Sequence, residues 1–254
     1  MEENMQRGNA APLGLAFVAL LGGCLADGGD GGILVTRNVV ADDMCATLGS
    51  ESEATRSHGT LDVLLGTGYT FIAQMKSRIT AIEGTEDQRT IITSGAKIDI
   101  AFPSSTMFSD AELSELRTTG LTHFKSPFTQ VINPNGGVSD GFFTLIQDSL
   151  TQRILQKMDL SKRNRLEALA TFTIEGTMAG ETVTSQPFSY AVTIGNEINV
   201  NVMGSCPVAQ GTKPREGYAC NAAQDGIVDC CGTRNLDGSP DLTTLRCPAV
   251  EGSM

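Results

Sequence analysis

Residues 167–194, EALATFTIEGTMAGETVTSQPFSYAVTI, alternate apolar and polar side chains on either side of a central turn. Ala168, Ala170, Phe172, Ile174 and Met178 fall on one face, and Glu167, Thr171, Thr173, Glu175 and Thr177 on the other. A period of two sends successive side chains to opposite faces of an extended chain, so the stretch predicts a strand with one buried face. Ala179-Gly180 supplies the turn. Val183, Phe188, Tyr190, Val192 and Ile194, interleaved with Ser189 and Thr193, carry the return, and the whole reads as a β-hairpin.

The same alternation extends outward on the N-terminal side. Tyr69, Phe71, Ala73 and Met75 form one predicted strand, and Ala96, Ile98, Ile100 and Phe102, ahead of Pro103, form another. Leu61–Leu65, Phe124–Ile132 and Ile198–Val202 are shorter candidates, and 133–137, NPNGG, is turn chemistry. Two helices interrupt the strands. Ser109 and Glu112 make a capping box ahead of Leu113 and Leu116, with Gly120 as the stop. Phe143, Ile146, Leu150, Ile154 and Met158 recur every three or four residues behind Asp140 as a cap, which predicts a longer helix. The expected fold over 33–203 is therefore mainly β: an antiparallel two-sheet sandwich, immunoglobulin-like in general architecture, carrying one or two helical insertions. No repeat of solenoid length is visible.

Composition narrows the function classes. The chain has 254 residues and a net charge of −11, with no basic run of the kind that phosphate binding requires, which argues against nucleic acid as a partner. Aromatic residues make up 5% and Trp is absent, so a broad stacking platform is not expected.

Residues 11–21, APLGLAFVALL, are apolar throughout but too short to cross a hydrocarbon core that needs about 20 residues; they have the length of a signal-peptide h-region. Leu21-Gly22-Gly23-Cys24 follows, and this junction resembles the lipobox of bacterial lipoproteins. The resemblance implies diacylglyceryl transfer to the Cys24 thiol, cleavage after Gly23, and acylation of the new amino terminus. Two or more acyl chains anchor stably where one does not. Residues 1–23 are thus expected to be a lipoprotein signal peptide, and 24–32, with Asp27, Asp30 and four glycines, a lipidated tether. Glu2 and Glu3 sit where positive charge is usual, and a start at Met5 would remove both. Leu25 lacks the Asp that the resemblance links to inner-membrane retention, so the expected destination is the outer membrane.

Cysteine usage points to the same oxidising compartment. Setting Cys24 apart leaves Cys45, Cys206, Cys220, Cys230, Cys231 and Cys247, an even number suited to three disulfides. Six cysteines admit 15 connectivities, and those joining the vicinal Cys230 and Cys231 in a strained ring are set aside; the others stay open. Five of the six lie in 206–247, so full oxidation ties Cys45 to the C-terminal segment. The spacing lacks the close pairs of a zinc site, and neither histidine is near.

From Gly204 the apolar periodicity ends, and 204–254 reads as an irregular segment braced by disulfides. Within it Asn235, Asp237, Ser239 and Asp241 place oxygen side chains at alternate positions around Gly238, a loose match to an Asp-rich calcium loop, with Asp225 and Asp229 as further hard ligands. Pro240 interrupts the pattern and the closing Glu is missing; the bland reading is an Asx turn. Residues 220–231, CNAAQDGIVDCC, are similar to a C-x3-Q-D-x3-D-C-C stretch of uncharacterised Cys-rich lipoproteins of the myxobacterial type, and this implies export and oxidised cysteines but no activity.

Catalytic signatures are sparse. The sequence has two histidines and no G-x-S-x-G, H-E-x-x-H or nucleotide-binding glycine loop. A hydrolase triad would have to be assembled from residues such as Ser57, His58 and Asp62, and Lys162, Arg163 and Arg165 read as a solvated basic patch. The expected function is a membrane-anchored structural or interaction module of the cell envelope, without catalysis. The alternatives are calcium, glycan or peptide binding through the Cys-rich loops, and a periplasmic or surface hydrolase.

Overall fold

The computed structural model describes residues 32–49, 53–80, 89–103, 107–207 and 213–248. Two sheets face each other. The first runs in the order β2-β1-β4-β8, with β1 at Ile33–Val39, β2 at Thr55–Arg56, β4 at Tyr69–Ser77 and β8 at Val138–Ile146. The second runs β3-β11-β9-β5-β6, with β3 at Gly59–Asp62, β5 at Ile91–Ala101, β6 at His123–Ser126, β9 at Arg165–Met178 and β11 at Phe188–Gly195. The short β7 (Val131–Ile132) also pairs with β5, and β10 (Glu181–Thr184) with β9. A small third sheet joins β12 (Val200–Val202) to β13 (Val228–Cys230).

The fold is a mainly β sandwich, and the hairpin at 165–195 is its spine. β9 pairs on one side with β5 and on the other with β10 and then β11. The turn needs two successive residues at positive φ, and Ala179 (φ 50) and Gly180 (φ 87) provide them. Phe172, Ile174, Tyr190 and Val192 point inward and meet Phe71 and Phe143 from the first sheet. The Phe71 ring lies 5.1 Å from Phe172, 5.5 Å from Phe143 and 4.9 Å from Tyr190, centroid to centroid, so one side chain carries much of the contact between the layers.

Several strand and helix expectations require correction. Among the described strands pairing is antiparallel except where β3 lies parallel to β11, and β12 to β13; one isolated parallel bridge also joins Ile33 to Ser185. The expected strand at Leu61–Leu65 stops at Asp62; Val63–Leu65 forms a 3-10 turn, because the Asp62 carboxylate caps Leu64 N and Gly66 takes φ 66. The expected strand at Phe124–Ile132 is two, since Pro127 has no amide for the ladder. In the third short candidate only Val200–Val202 is a strand, and its partner comes from the C-terminal segment. The longer helix is overestimated. Phe143 and Ile146 belong to β8, and the helix α2 occupies Asp148–Lys157 behind Gln147, not Asp140. The spacing of Phe143 and Ile146 imitates a helical turn, but Phe143 and Leu145 face the core together, as a strand requires. Helix α1 (Asp110–Thr118) has the expected capping box: Ser109 accepts from Glu112 N, and the Glu112 carboxylate accepts from Ser109 N.

The segment after Gly204 has little core of its own and is held as part of the sandwich. Three disulfides join Cys45 to Cys220, Cys206 to Cys231 and Cys230 to Cys247. Cys45 therefore pairs with the C-terminal segment, and the vicinal cysteines take separate partners. Tyr218 packs on Val39, Ala41 and Ile72, which covers the outer face of the first sheet.

Replacing Phe71 by Ala removes this interlayer ring from a fully buried position and is expected to lower unfolding free energy by about 3–5 kcal/mol. Chemical denaturation read by circular dichroism measures it; a loss below about 1 kcal/mol contradicts the assigned core.

Candidate functional site

The described residues separate the predicted site residues into distinct environments. Cys24 lies outside them. Asn235, Asp237, Ser239 and Asp241 fold into two successive Asx turns. Asp237 Oδ1 accepts from Ser239 N (2.9 Å) and Ser239 Oγ (2.6 Å). Asp241 Oδ1 accepts from Thr243 N (3.0 Å) and Thr243 Oγ1 (2.6 Å). Asn235 gives its Nδ2 to Ser239 Oγ (3.0 Å). The Oδ1 atoms of Asp237 and Asp241 thus each serve their own turn, and Asp241 Oδ2 accepts from Thr233 Oγ1 (3.3 Å). Among the described residues no three His, Cys, Asp or Glu side chains converge as a metal site.

Ser57, His58 and Asp62 are not assembled as a triad. His58 Nε2 bonds Thr193 Oγ1 (2.6 Å) on the outer face of the second sheet. Asp62 is fully buried and serves backbone amides: Oδ1 accepts from Leu64 N (3.0 Å), and Oδ2 from Ile198 N (2.8 Å), Asn199 N (3.0 Å) and Val200 N (2.9 Å). Burial pushes its carboxyl up, and the four amides, which favour the charged form, oppose that rise. The carboxylate organises the entry to β12. His123 Nδ1 bonds Asp99 Oδ1 (2.8 Å) at the surface.

Asp225 and Asp229, expected only as auxiliary metal ligands, organise the joint between the sandwich and the C-terminal segment. Asp225 takes φ 55, accepts from Thr60 N (2.7 Å) with Oδ1 and from Tyr69 Oη (2.6 Å) with Oδ2, and has Arg56 Nε 3.6 Å away. Tyr69 Oη lies 3.2 Å from Tyr190 Oη, which accepts from Asn38 Nδ2 (2.9 Å). Gly59 makes room for this network: a Cβ there would stand 2.6 Å from Tyr69 Oη. Burial pushes the Asp225 carboxyl up. The neighbouring Gln224 uses its side-chain amide like a piece of strand: Oε1 accepts from Thr70 N (2.8 Å) and Nε2 donates to Thr70 O (3.0 Å). Backbone bonds from Asp62 N to Ala223 O (2.8 Å) and from Asp225 N to Thr60 O (3.0 Å) complete the seam.

Asp229 faces Arg215, whose Nε (2.9 Å), Nη2 (2.6 Å) and backbone N (2.8 Å) all donate to it, and Asn201 Nδ2 adds a fourth bond (2.7 Å). These donors, the Arg215 guanidinium first, hold its carboxyl well below the usual range.

Two depressions flank this joint. One, about 350 Å³, runs between Gly68–Thr70, Asp148 and Asn221–Ala223. The other is a wide groove of about 980 Å³ whose walls carry Met44, Pro214 and Ile227 together with Asp43, Lys213 and Glu216. Met44 and Ile227 are both exposed. The second groove thus offers apolar contact with charges of both signs at its rim. None of the C-terminal joint was readable from local spacing, because each partner lies far away in sequence.

No family model and no curated protein matches the chain. Among solved structures, the collagen-binding subdomain of the Enterococcus faecalis surface protein ACE is similar over 56% of this chain and 99% of its own length, at 12% identity and a TM-score of 0.16. At that score the likeness carries no argument, and the fold rests on the sheets themselves.

The Asp229–Arg215 pair sets a pH dependence. A depressed folded-state pKa stabilises the fold above the unfolded value, near 3.8, and that contribution disappears as pH falls through the folded value. Asp229→Asn is expected to melt a few degrees below the parent at pH 6. The gap should close as both are titrated below pH 3.8; a gap that stays constant with pH contradicts the pairing.

Proposed function

We propose that the chain is an exported, lipid-anchored interaction module of the cell envelope, without catalysis, and that its destination is the outer membrane. One observation carries this reading: the three disulfides use every cysteine except Cys24. Paired cysteines belong in an oxidising compartment, and the thiol outside the pairs is the one that follows the apolar run and the Leu-Gly-Gly junction. Acylation gives that thiol a role.

The disulfide-braced groove beside Met44 and Ile227 is the surface assigned to a partner. Its apolar walls and mixed-sign rim suit a peptide or protein segment better than a glycan, whose recognition relies on aromatic stacking surfaces that this groove lacks. A hydrolase receives no support from the positions of His58 and Asp62, since the Asp62 carboxylate is occupied by backbone amides.

Expression in a two-membrane bacterium tests the proposal. The parent is expected to stay in the membrane fraction through a high-salt, alkaline wash, with an acylated mature terminus at Cys24 by mass spectrometry. Cys24→Ser is expected to appear as soluble periplasmic protein or as unprocessed precursor. An unacylated parent, or a Ser variant retained through the wash with the mature parent's mass less its lipid, overturns the anchor. Reduction of the parent followed by peptide mapping should recover three linked pairs.

A further inference from the structure

Arg163 lies in the loop ahead of β9 that reads from sequence as a solvated basic patch. In the fold it lines a depression of about 220 Å³ beside β12, together with Arg215 and Arg234. Two carboxylates hold these guanidiniums from behind. Glu197 accepts from Arg234 Nη1 (2.6 Å) and Nη2 (3.0 Å), and its Oε2 lies 3.7 Å from Arg163 Nη2. Asp229 accepts from Nε and Nη2 of Arg215. Glu197 keeps its place at a φ of 53, a left-handed backbone that residues other than glycine seldom adopt.

The charges are sorted by depth. The carboxylate side chains of Glu197 and Asp229 are each 8% exposed, against 75% for Arg163, 54% for Arg215 and 41% for Arg234. Solvent therefore meets the guanidiniums, and three positive charges against two negative leave a surplus of one. Among the described residues Arg163 makes no other polar contact, and Arg215 Nη1 makes no hydrogen bond. Guanidinium forks already fixed by enclosed acids lose little freedom when they receive a further carboxylate. A chain of net charge −11 thus carries a local site for an anion. A surplus of one charge matches a side-chain carboxylate better than a doubly charged phosphate.

The depression continues into the groove that carries Met44 and Pro214, because Arg215 and Ile227 line both. A segment lying on Ile227 meets Arg215 at this shared wall. We propose that the partner of this module is an acidic peptide segment: an Asp or Glu side chain enters between Arg163, Arg215 and Arg234 while an apolar neighbour rests on Ile227. This inference rests on the groove assignment made above and names the chemistry that the groove selects. Apolar contact supplies area, and the guanidiniums fix register and favour acidic over neutral or basic segments.

The test pans a random peptide display library against the full-length, disulfide-intact protein in detergent, then measures the enriched peptides by fluorescence anisotropy. Enriched sequences are expected to place Asp or Glu beside an apolar residue. Arg163→Ala is expected to weaken their binding roughly two- to five-fold, and Arg163→Glu by about tenfold or more. Raised salt should shrink both differences. Ile227→Ser should weaken the same peptides, while Arg117→Ala, at the Asp99 pair beside β6, leaves them unchanged. Circular dichroism checks that the Arg163 variants fold as the parent does, as its exposure leads one to expect. Enriched peptides without acidic residues, or acidic peptides that bind Arg163→Glu as well as the parent, overturn the proposal; if Ile227→Ser still weakens them, the groove itself stands. Acidic peptides that depend on Arg163 but ignore Ile227→Ser uphold the carboxylate site and overturn its link to the groove. A library that yields no enriched sequence overturns both. Self-association of the parent that Arg163→Glu abolishes would make a second copy of this chain the occupant and overturn a separate partner.

Discussion

The sandwich depends on two adjacent side chains that arrive late in the sequence. Gln224 satisfies both backbone groups of Thr70 on the first sheet, and Asp225 takes Thr60 N on the second sheet together with the Tyr69 hydroxyl. The outer edge of β3 would otherwise present unpaired amides and carbonyls, a template for association with other chains. Ala223 O and Asp225 N complete the cover by pairing with Asp62 N and Thr60 O. The Q-D dipeptide within the Cys-rich stretch thus has a physical role that no local pattern exposes: it locks two layers and closes an edge.

Polar burial elsewhere follows the same rule of complete satisfaction. Asp62 would be expensive as an isolated ion, yet four amides converge on its two oxygens and set the course of the chain into β12. The Tyr69, Tyr190 and Asn38 network does likewise where the sheets meet. With an aromatic content of 5%, the apolar core is concentrated around Phe71, Phe143, Phe172 and Phe188, and hydrogen-bonded joints hold the margins. Asp140 stands apart because one of its oxygens breaks this rule.

How much of this was readable in advance follows from distance along the chain. The hairpin at 165–195 was legible because alternation, an Ala-Gly turn and a return strand all lie within one window, and α1 because its cap and first turn are contiguous. The junction of β8 and α2 was not. Phe143, Ile146, Leu150 and Ile154 keep a three-to-four spacing straight through a change from strand to helix, so periodicity alone ran the two together. β1 lacks clean alternation and shifts register between Val35 and Arg37, which hid it. The joint was illegible for a different reason: Asp225 meets Tyr69 across 156 residues and Thr60 across 165. Spacing did show that Cys45 must reach the C-terminal segment, but not which cysteine it meets.

The separation of β3 from its cover also orders events in time. A chain synthesised or threaded through a translocon from its amino end delivers Thr60 long before Asp225, and Cys45 waits 175 residues for Cys220. Once β11 has arrived and β3 has joined it, the outer edge of β3 stays uncovered until residue 225 follows, and distant pairing of this kind slows closure. Products that stop short of residue 223 would keep that edge permanently, open to pairing with another chain.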